Sequence, residues 1–276
     1  MASMPPRTDP DRKTYLKSNS MNDKKFNKIF STVLLSMMVL VIAVTTAFKL
    51  QDPGARTVML LVAAFGSVMG VACTVLSANG LIWNFFFGVL DVTLCTIVAM
   101  DNELWGNFAL HLFFFLPMQF VGLAQWRKRG ARGETEVKAR RLTPGQRWIV
   151  AGAVTAGLAA SYGVLFFIKS RTVALPEINH FQLFFDAAVF TFNIAGQILL
   201  SFAYMEQWIL WNMVNISSIC LWGSTMLASS ASSYTVVMLI KYCFYLLNSI
   251  NGLRIWLKLS RPDAPSGDAP VKTGCC

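Results

Sequence analysis

The stretches GLAQW (Gly122 to Trp126) and GLRIW (Gly252 to Trp256) set glycine, leucine and tryptophan at the same spacing. Each lies downstream of a Trp-Asn pair: Trp83-Asn84 stands 43 residues before Trp126, and Trp211-Asn212 stands 45 before Trp256, counted from tryptophan to tryptophan. A two-residue mismatch fits in a connecting loop, so the pattern reads as an internal repeat. Before GLAQW runs FFFLPMQFV (Phe113 to Val121), a greasy segment that nevertheless holds Pro117 and Gln119 and is stopped by Arg127, Lys128 and Arg129. A water-soluble core does not explain it, because the whole chain is too apolar.

Of 276 residues, 55% are hydrophobic, 13% aromatic and only 14% charged, and the charges are clustered. A bilayer core needs about 20 apolar residues per spanning helix. Segments of that kind are expected at 29–48, 57–79, 81–100, 104–126, 147–168, 182–204, 206–228 and 232–258. The breaks carry turn chemistry at Gln51-Asp52-Pro53-Gly54, Asn79-Gly80, Asp101-Asn102-Glu103 and Ser229 to Ser233. The segments are too long and too unalternating for barrel strands. The expected fold is an all-α polytopic membrane protein with eight transmembrane helices.

Lysine and arginine concentrate in cytoplasmic segments. With both ends in the cytosol of a multi-pass plasma (inner) membrane protein, 19 of the 24 fall on the cytoplasmic side, 4 outside and Lys241 within a helix. That bias, with attraction to anionic lipid, accounts for the net charge of +10 without nucleic acid. Lys24, Lys25 and Lys28 before the first apolar run also fit a cleavable signal sequence, whose loss would leave seven spans. Residues 1–25 and 260–276 are polar tails expected to be irregular. Cys275-Cys276 does not match the prenylation box, and no metal or redox spacing of cysteines occurs.

Pairing the repeats gives a 3+1+3 arrangement. The units are a 1–28 tail, an additional helix 29–48, a first triple-helix bundle 57–126, a basic loop 127–146, a linker helix 147–168, a second bundle 182–258 and a 259–276 tail. Three helices plus one linker return the chain to its starting side, so the two bundles are parallel. Parallel repeats about an axis along the membrane normal are a carrier architecture with substrate between the bundles.

Polar residues in a bilayer interior face protein or a cavity. Trp208, Trp211, Asn212 and Asn215 share one face of a helix, and so do Asn107, His111, Phe115, Gln119, Gly122 and Trp126. Lys241, Tyr245, Asn248 and Gly252 share a third. Gln119, Asn215 and Asn248 fall at one level, roughly 10–15 Å from the basic ends of their helices. Amides among tryptophans and tyrosines suit a neutral or cationic ligand with a flat ring and hydroxyls. Trp83, Asn84 and Tyr242 complete the candidate substrate-binding set. Asn and Gln also join membrane helices by hydrogen bonds. Trp126 and Trp256, beside basic residues, read best as interfacial anchors. Asp91 and Lys241 lie equally far from the outer helix ends and are expected to form a structural ion pair.

An enzyme is disfavoured. His111 and His180 sit on different helices, and neither a His-Glu-x-x-His nor a Gly-x-Ser-x-Gly motif occurs. No phosphate loop is present for an ATP-driven pump, and no cofactor or metal is expected. A non-transporting receptor or scaffold stays open, to be separated by vesicle uptake.

The run Phe113 to Lys128, with Pro-Met-Gln and Gly ahead of Trp and basic residues, and Glu206-Gln207-Trp208-Ile209-Leu210-Trp211-Asn212, with its Trp-x-x-Trp pattern, resemble the PnuC-type nicotinamide riboside transporters over about residues 60–258. The resemblance implies a fold like that of SWEET carriers, often trimeric. It implies facilitated diffusion of nicotinamide riboside, with trapping by a separate cytosolic kinase that phosphorylates the substrate. It also implies that Trp208, Trp211 and Asn215 are pocket residues of the second bundle and Gln119 the pocket glutamine of the first. Asp91 and Lys241 are not part of the motif. Relatives of this fold carry thiamine, riboflavin or deoxynucleosides.

Overall fold

The structure is a computed structural model that describes residues 10–51, 54, 56–228 and 233–261. The expected break at Ser229 to Ser233 falls largely outside these residues, and Cys275-Cys276 entirely so. Hydrocarbon offers the backbone no hydrogen-bond partner, so a chain this apolar satisfies itself within helices. The described residues form eight long ones: α1 Pro10–Leu50, α2 Thr57–Ala78, α3 Asn84–Asp101, α4 Trp105–Lys128, α5 Pro144–Ser170, α6 His180–Ser201, α7 Gln207–Ala228 and α8 Ser233–Leu259. Six stretches, Asn22–Leu50 within α1 and the whole of α2 to α6, are long and apolar enough to cross a membrane.

Several boundaries differ from expectation for local reasons. α1 starts at Pro10, so the tail expected to be irregular over 1–25 is helical from that residue. Proline suits a first helical position, and no glycine or proline interrupts residues 11–28. α3 begins at Asn84 rather than 81, because Gly80 in the left-handed region (φ +70°) turns the chain out of α2. α4 is discontinuous: His111–Phe115 takes a π turn directly before Leu116 and Pro117. Pro117 has no N–H to return to the carbonyl of Phe113, and the widened turn absorbs that missing bond. α5 opens on a capping box, with Thr143 and Gln146 side chains bonding each other's backbone N–H.

Helix packing runs α2 on α3, α3 on α4, α4 on α6, α6 on α7, α7 on α8, and α8 back on α2, which closes a ring of six. α1 leans on α2 and α8, covering the seam between them, and α5 packs against α6. The two crossings between halves, α2 with α8 and α4 with α6, are equivalent in the repeat.

The loop joining α4 to α5 ties both halves at the basic end. Its Val137 N–H donates to the Gly80 carbonyl (2.9 Å) and its Arg140 N–H to the Ala203 carbonyl (2.7 Å), while Met205 N–H donates to Arg140 O (2.9 Å). Gly80 and Ala203 are the same place in the two halves, each left-handed (φ +70° and +59°) in the turn after the half's first helix. Glu206 accepts the Leu142 N–H (3.1 Å) and pairs with Arg147 (3.3 Å), fixing the loop's exit.

This geometry corrects the repeat register. Counting from the paired turns, Trp83-Asn84-Phe85 matches Glu206-Gln207-Trp208, so Trp211-Asn212 is not the counterpart of Trp83-Asn84. The glycines confirm it: Gly122 faces the ring of Phe85, and Gly252 the ring of Trp208. A Cβ on Gly252 would stand 2.6 Å from Trp208 Cζ3, and one on Gly122 would overlap Phe85 Cε1. Both rings are buried, so neither can swing clear. Gly122→Ala and Gly252→Ala should each destabilise the protein by about 1–3 kcal/mol. Gly163→Ala in α5, with nothing within 4 Å of the new methyl, should be neutral or stabilising. Thermal unfolding in detergent, followed by loss of monodisperse protein, checks the contrast.

Candidate functional site

The basic end of the ring is closed by aromatic side chains. Phe85 meets Trp126 edge-on at 5.0 Å between centroids, Trp126 meets Trp256 at 5.3 Å, and Trp256 meets Trp208 at 6.3 Å. Trp126 and Trp256 are 0% exposed. The Trp126 indole N–H donates to the Leu200 carbonyl at the end of α6 (2.8 Å), and that of Trp256 to the Ser77 carbonyl at the end of α2 (3.0 Å). Each half thus sends its last tryptophan to the first helix of the other. The expectation that these two residues anchor the protein at the lipid interface is overturned: a buried indole needs an internal acceptor, and each has one.

Further along the ring lie the candidate amides. Ser249 Oγ on α8 accepts from Asn215 Nδ2 (3.1 Å) and donates to Asn212 Oδ1 (3.0 Å), while Asn212 Nδ2 donates to the Trp208 carbonyl (2.6 Å). Asn212 therefore uses both ends of its amide inside the protein, as a helix joiner does. Trp211 is half-buried, with its ring against Gly196 of α6 (3.2 Å to the Cβ position). Asn248 Nδ2 crosses between the halves to the Thr74 carbonyl (3.2 Å), and Ser201 Oγ crosses the other seam to Met118 O (3.1 Å).

Gln119 is different. It is 5% exposed, lies against Gly88 of α3, and its Oε1 has no partner among the described residues. In repeat register Gly88 corresponds to Trp211, Cys73 to Gly196 and Gln119 to Ser249. One half thus places a large ring where the other leaves room for an amide. Cys73 Sγ flanks the same glycine (3.2 Å).

Asp91 lies against Gly70 of α2 and accepts a weak bond from Cys95 Sγ (3.6 Å), within reach of the Lys241 charge. Lys241 Nζ stands 5.5 Å from the Tyr245 ring centroid and 6.0 Å from that of Tyr242, and the two tyrosines meet at 6.1 Å. Lys241 and the two tyrosines thus form one neighbourhood. Trp83 belongs to none of these groups: it is 54% exposed, edge-on to Phe86. Asn84, which follows it, is buried, donates to the Leu81 carbonyl (2.6 Å) and leaves Oδ1 unpartnered. The sequence reading missed Ser249 and Ser201, since small hydroxyls within helices carry little periodic signal, and gave Gln207 no role of its own.

Six membrane-length stretches and a closed ring of helices that buries amides and tryptophans define a polytopic membrane protein. A family model described as "Nicotinamide mononucleotide transporter" matches residues 60–258. A curated "Nicotinamide riboside transporter PnuC" from Neisseria mucosa is 36% identical over 201 residues, 71% of this chain and 72% of that one. Its counterpart from Haemophilus influenzae is 30% identical over 234 residues, 84% and 91% of the two chains. A solved structure, "Crystal structure of the Vitamin B3 transporter PnuC", superposes with a TM-score of 0.59 at 33% identity, covering 83% of this chain and 91% of that one. The chain belongs to this PnuC family of nicotinamide mononucleotide transporters, which are transporters and not enzymes.

Replacing Trp126 or Trp256 by Phe keeps a ring but removes the indole bond, while the Leu200 and Ser77 carbonyls keep the N–H of Ala203 and of Gly80, so the loss is about 0.5–1.5 kcal/mol each. Thermal midpoints of the two variants should fall together, since the two bonds are equivalent. A drop confined to one would contradict the equivalence.

Proposed function

We propose that this protein carries nicotinamide riboside across the cytoplasmic membrane by facilitated diffusion. The ligand sits inside the six-helix ring, with the nicotinamide ring against Trp211 and the ribose hydroxyls at Gln119 and Asn215, while Trp208, Asn248, Tyr242 and Tyr245 shape its surroundings. In this reading all eight helices span, as an additional helix plus two parallel triple-helix bundles of SWEET type joined by α5, with both termini cytosolic and the protomers assembled as a trimer. A separate cytosolic kinase traps the product by phosphorylation. The observation that carries the site is the buried, unpartnered Oε1 of Gln119 beside Gly88. An acceptor left bare in the interior is costly unless a ligand donor meets it. The names of the curated relatives support the choice of substrate.

The test is uptake of labelled nicotinamide riboside, thiamine, riboflavin and deoxynucleosides into liposomes containing the pure protein. Nicotinamide riboside should enter fastest and plateau at equal concentrations on both sides, because the spans offer little acidic material for ion coupling. Accumulation driven by a proton or sodium gradient overturns the mechanism. Trp211→Ala and Gln119→Ala should each weaken binding about ten- to a hundredfold in calorimetry while the protein stays folded. Wild-type affinity in both would move the site elsewhere.

Asp91 and Lys241 act in this reading as a structural charge pair. Asp91→Asn or Lys241→Met alone should lower the yield of folded protein by stranding a charge, and the double variant should recover it. A double variant no better than the worse single one argues against the pairing.

A further inference from the structure

Gln207, the first residue of α7, has 0% of its surface exposed, yet neither Oε1 nor Nε2 has a hydrogen-bond partner among the described residues. The protein interior here holds a primary amide whose polar atoms are all idle, a cost that a methionine of similar volume would not impose. The position is not random. Gln207, Trp211, Asn215 and Ser218 fall at i, i+4, i+8 and i+11, one stripe of α7 about 16 Å long. Ser218, at the other end of the stripe, is likewise buried with an unpartnered Oγ. The counterpart of Gln207 in the first half is Asn84, the first residue of α3, buried and with an idle Oδ1. Both amides directly precede a ring of the aromatic closure, Phe85 after Asn84 and Trp208 after Gln207. The indole N–H of Trp208 is itself buried and unpartnered.

We propose that Gln207 and Asn84 form a second hydrogen-bonding station for the transported ligand, at the basic end of the ring and about 6 Å along α7 from Trp211. The station is engaged when the rings of Phe85, Trp126, Trp208 and Trp256 part. A primary amide both donates and accepts, which matches the hydroxyl and carboxamide groups of a ribosylated pyridine carboxamide. The inference rests on the transport reading above and adds to it an exit-side contact distinct from the Trp211 and Gln119 pocket. In the closed state Gln207 and the Asn84 Oδ1 are idle, so their cost is carried by the fold and recovered only during passage.

The test uses full-length protein carrying Gln207→Met, and separately Asn84→Leu, in detergent and in liposomes. The expected result for Gln207→Met is a thermal midpoint equal to or above wild type in the absence of ligand; Asn84→Leu also gives up the bond to the Leu81 carbonyl and is read by transport alone, and both variants keep the equilibrium affinity. Nicotinamide riboside uptake should be slowed by about tenfold, the loss of one buried hydrogen bond. A lowered thermal midpoint in Gln207→Met makes that amide structural and overturns the proposal. Wild-type uptake rates overturn it too, as does a fall in affinity matching the fall in rate, which assigns the residues to the main pocket. Wild-type protein that carries no member of the substrate panel removes the transport reading, and this inference falls with it.

Discussion

Two indole N–H groups hold the halves of this protein together. Trp126 and Trp256 close their respective repeats, and each reaches the last turn of the other half's first helix. Much else at that end follows from placing two large rings side by side in a buried seam. Gly122 and Gly252 stand one helical turn before them because Phe85 and Trp208 must pass close to the backbone. The loop after α4 covers the same end, giving one backbone bond to each left-handed turn, Gly80 and Ala203. An alternating-access cycle has to part these contacts or carry them along as a unit.

Inside the ring, polar groups divide by whether the protein itself satisfies them. Asn212, Ser249, Asn248 and Ser201 are occupied with one another or with carbonyls across helix seams, and such bonds specify which helices meet. Gln119 Oε1, Asn84 Oδ1, both polar atoms of Gln207 and Trp208 Nε1 are buried without a partner among the described residues. Unmet polar atoms in so apolar a chain are a cost, and function is a common reason for a fold to carry one. The two classes are chemically alike and separate only by what lies within reach of each atom.

The membrane class, the approximate helix positions and the doubling were legible from residues alone, because each rests on local quantities: apolar length, turn residues and a recurring Gly-to-Trp spacing. The membership of Gln119 and Trp211 in buried helix faces was legible as well, from helical periodicity. The register of the repeat was not. Identical Trp-Asn letters paired Trp83 with Trp211, whereas the matching left-handed turns pair Trp83 with Glu206 and leave Trp83 facing outward. Letter identity is a weak guide where both helices are rich in the same residue types.

By itself, then, the sequence determined that the chain crosses a membrane, where its helices begin and end to within a few residues except for the start of α1, and that its halves are related. Those properties depend on neighbours within a turn or two of helix. Only the tertiary structure decided that Trp126 and Trp256 are buried ties between the halves, that Asn212 is spent on Ser249 and Trp208, and that Gln207 stands idle. Each is a statement about residues distant in the chain or on different helices meeting in space, and hydrogen-bond partners a few ångströms away across a helix seam leave no periodic trace in either segment.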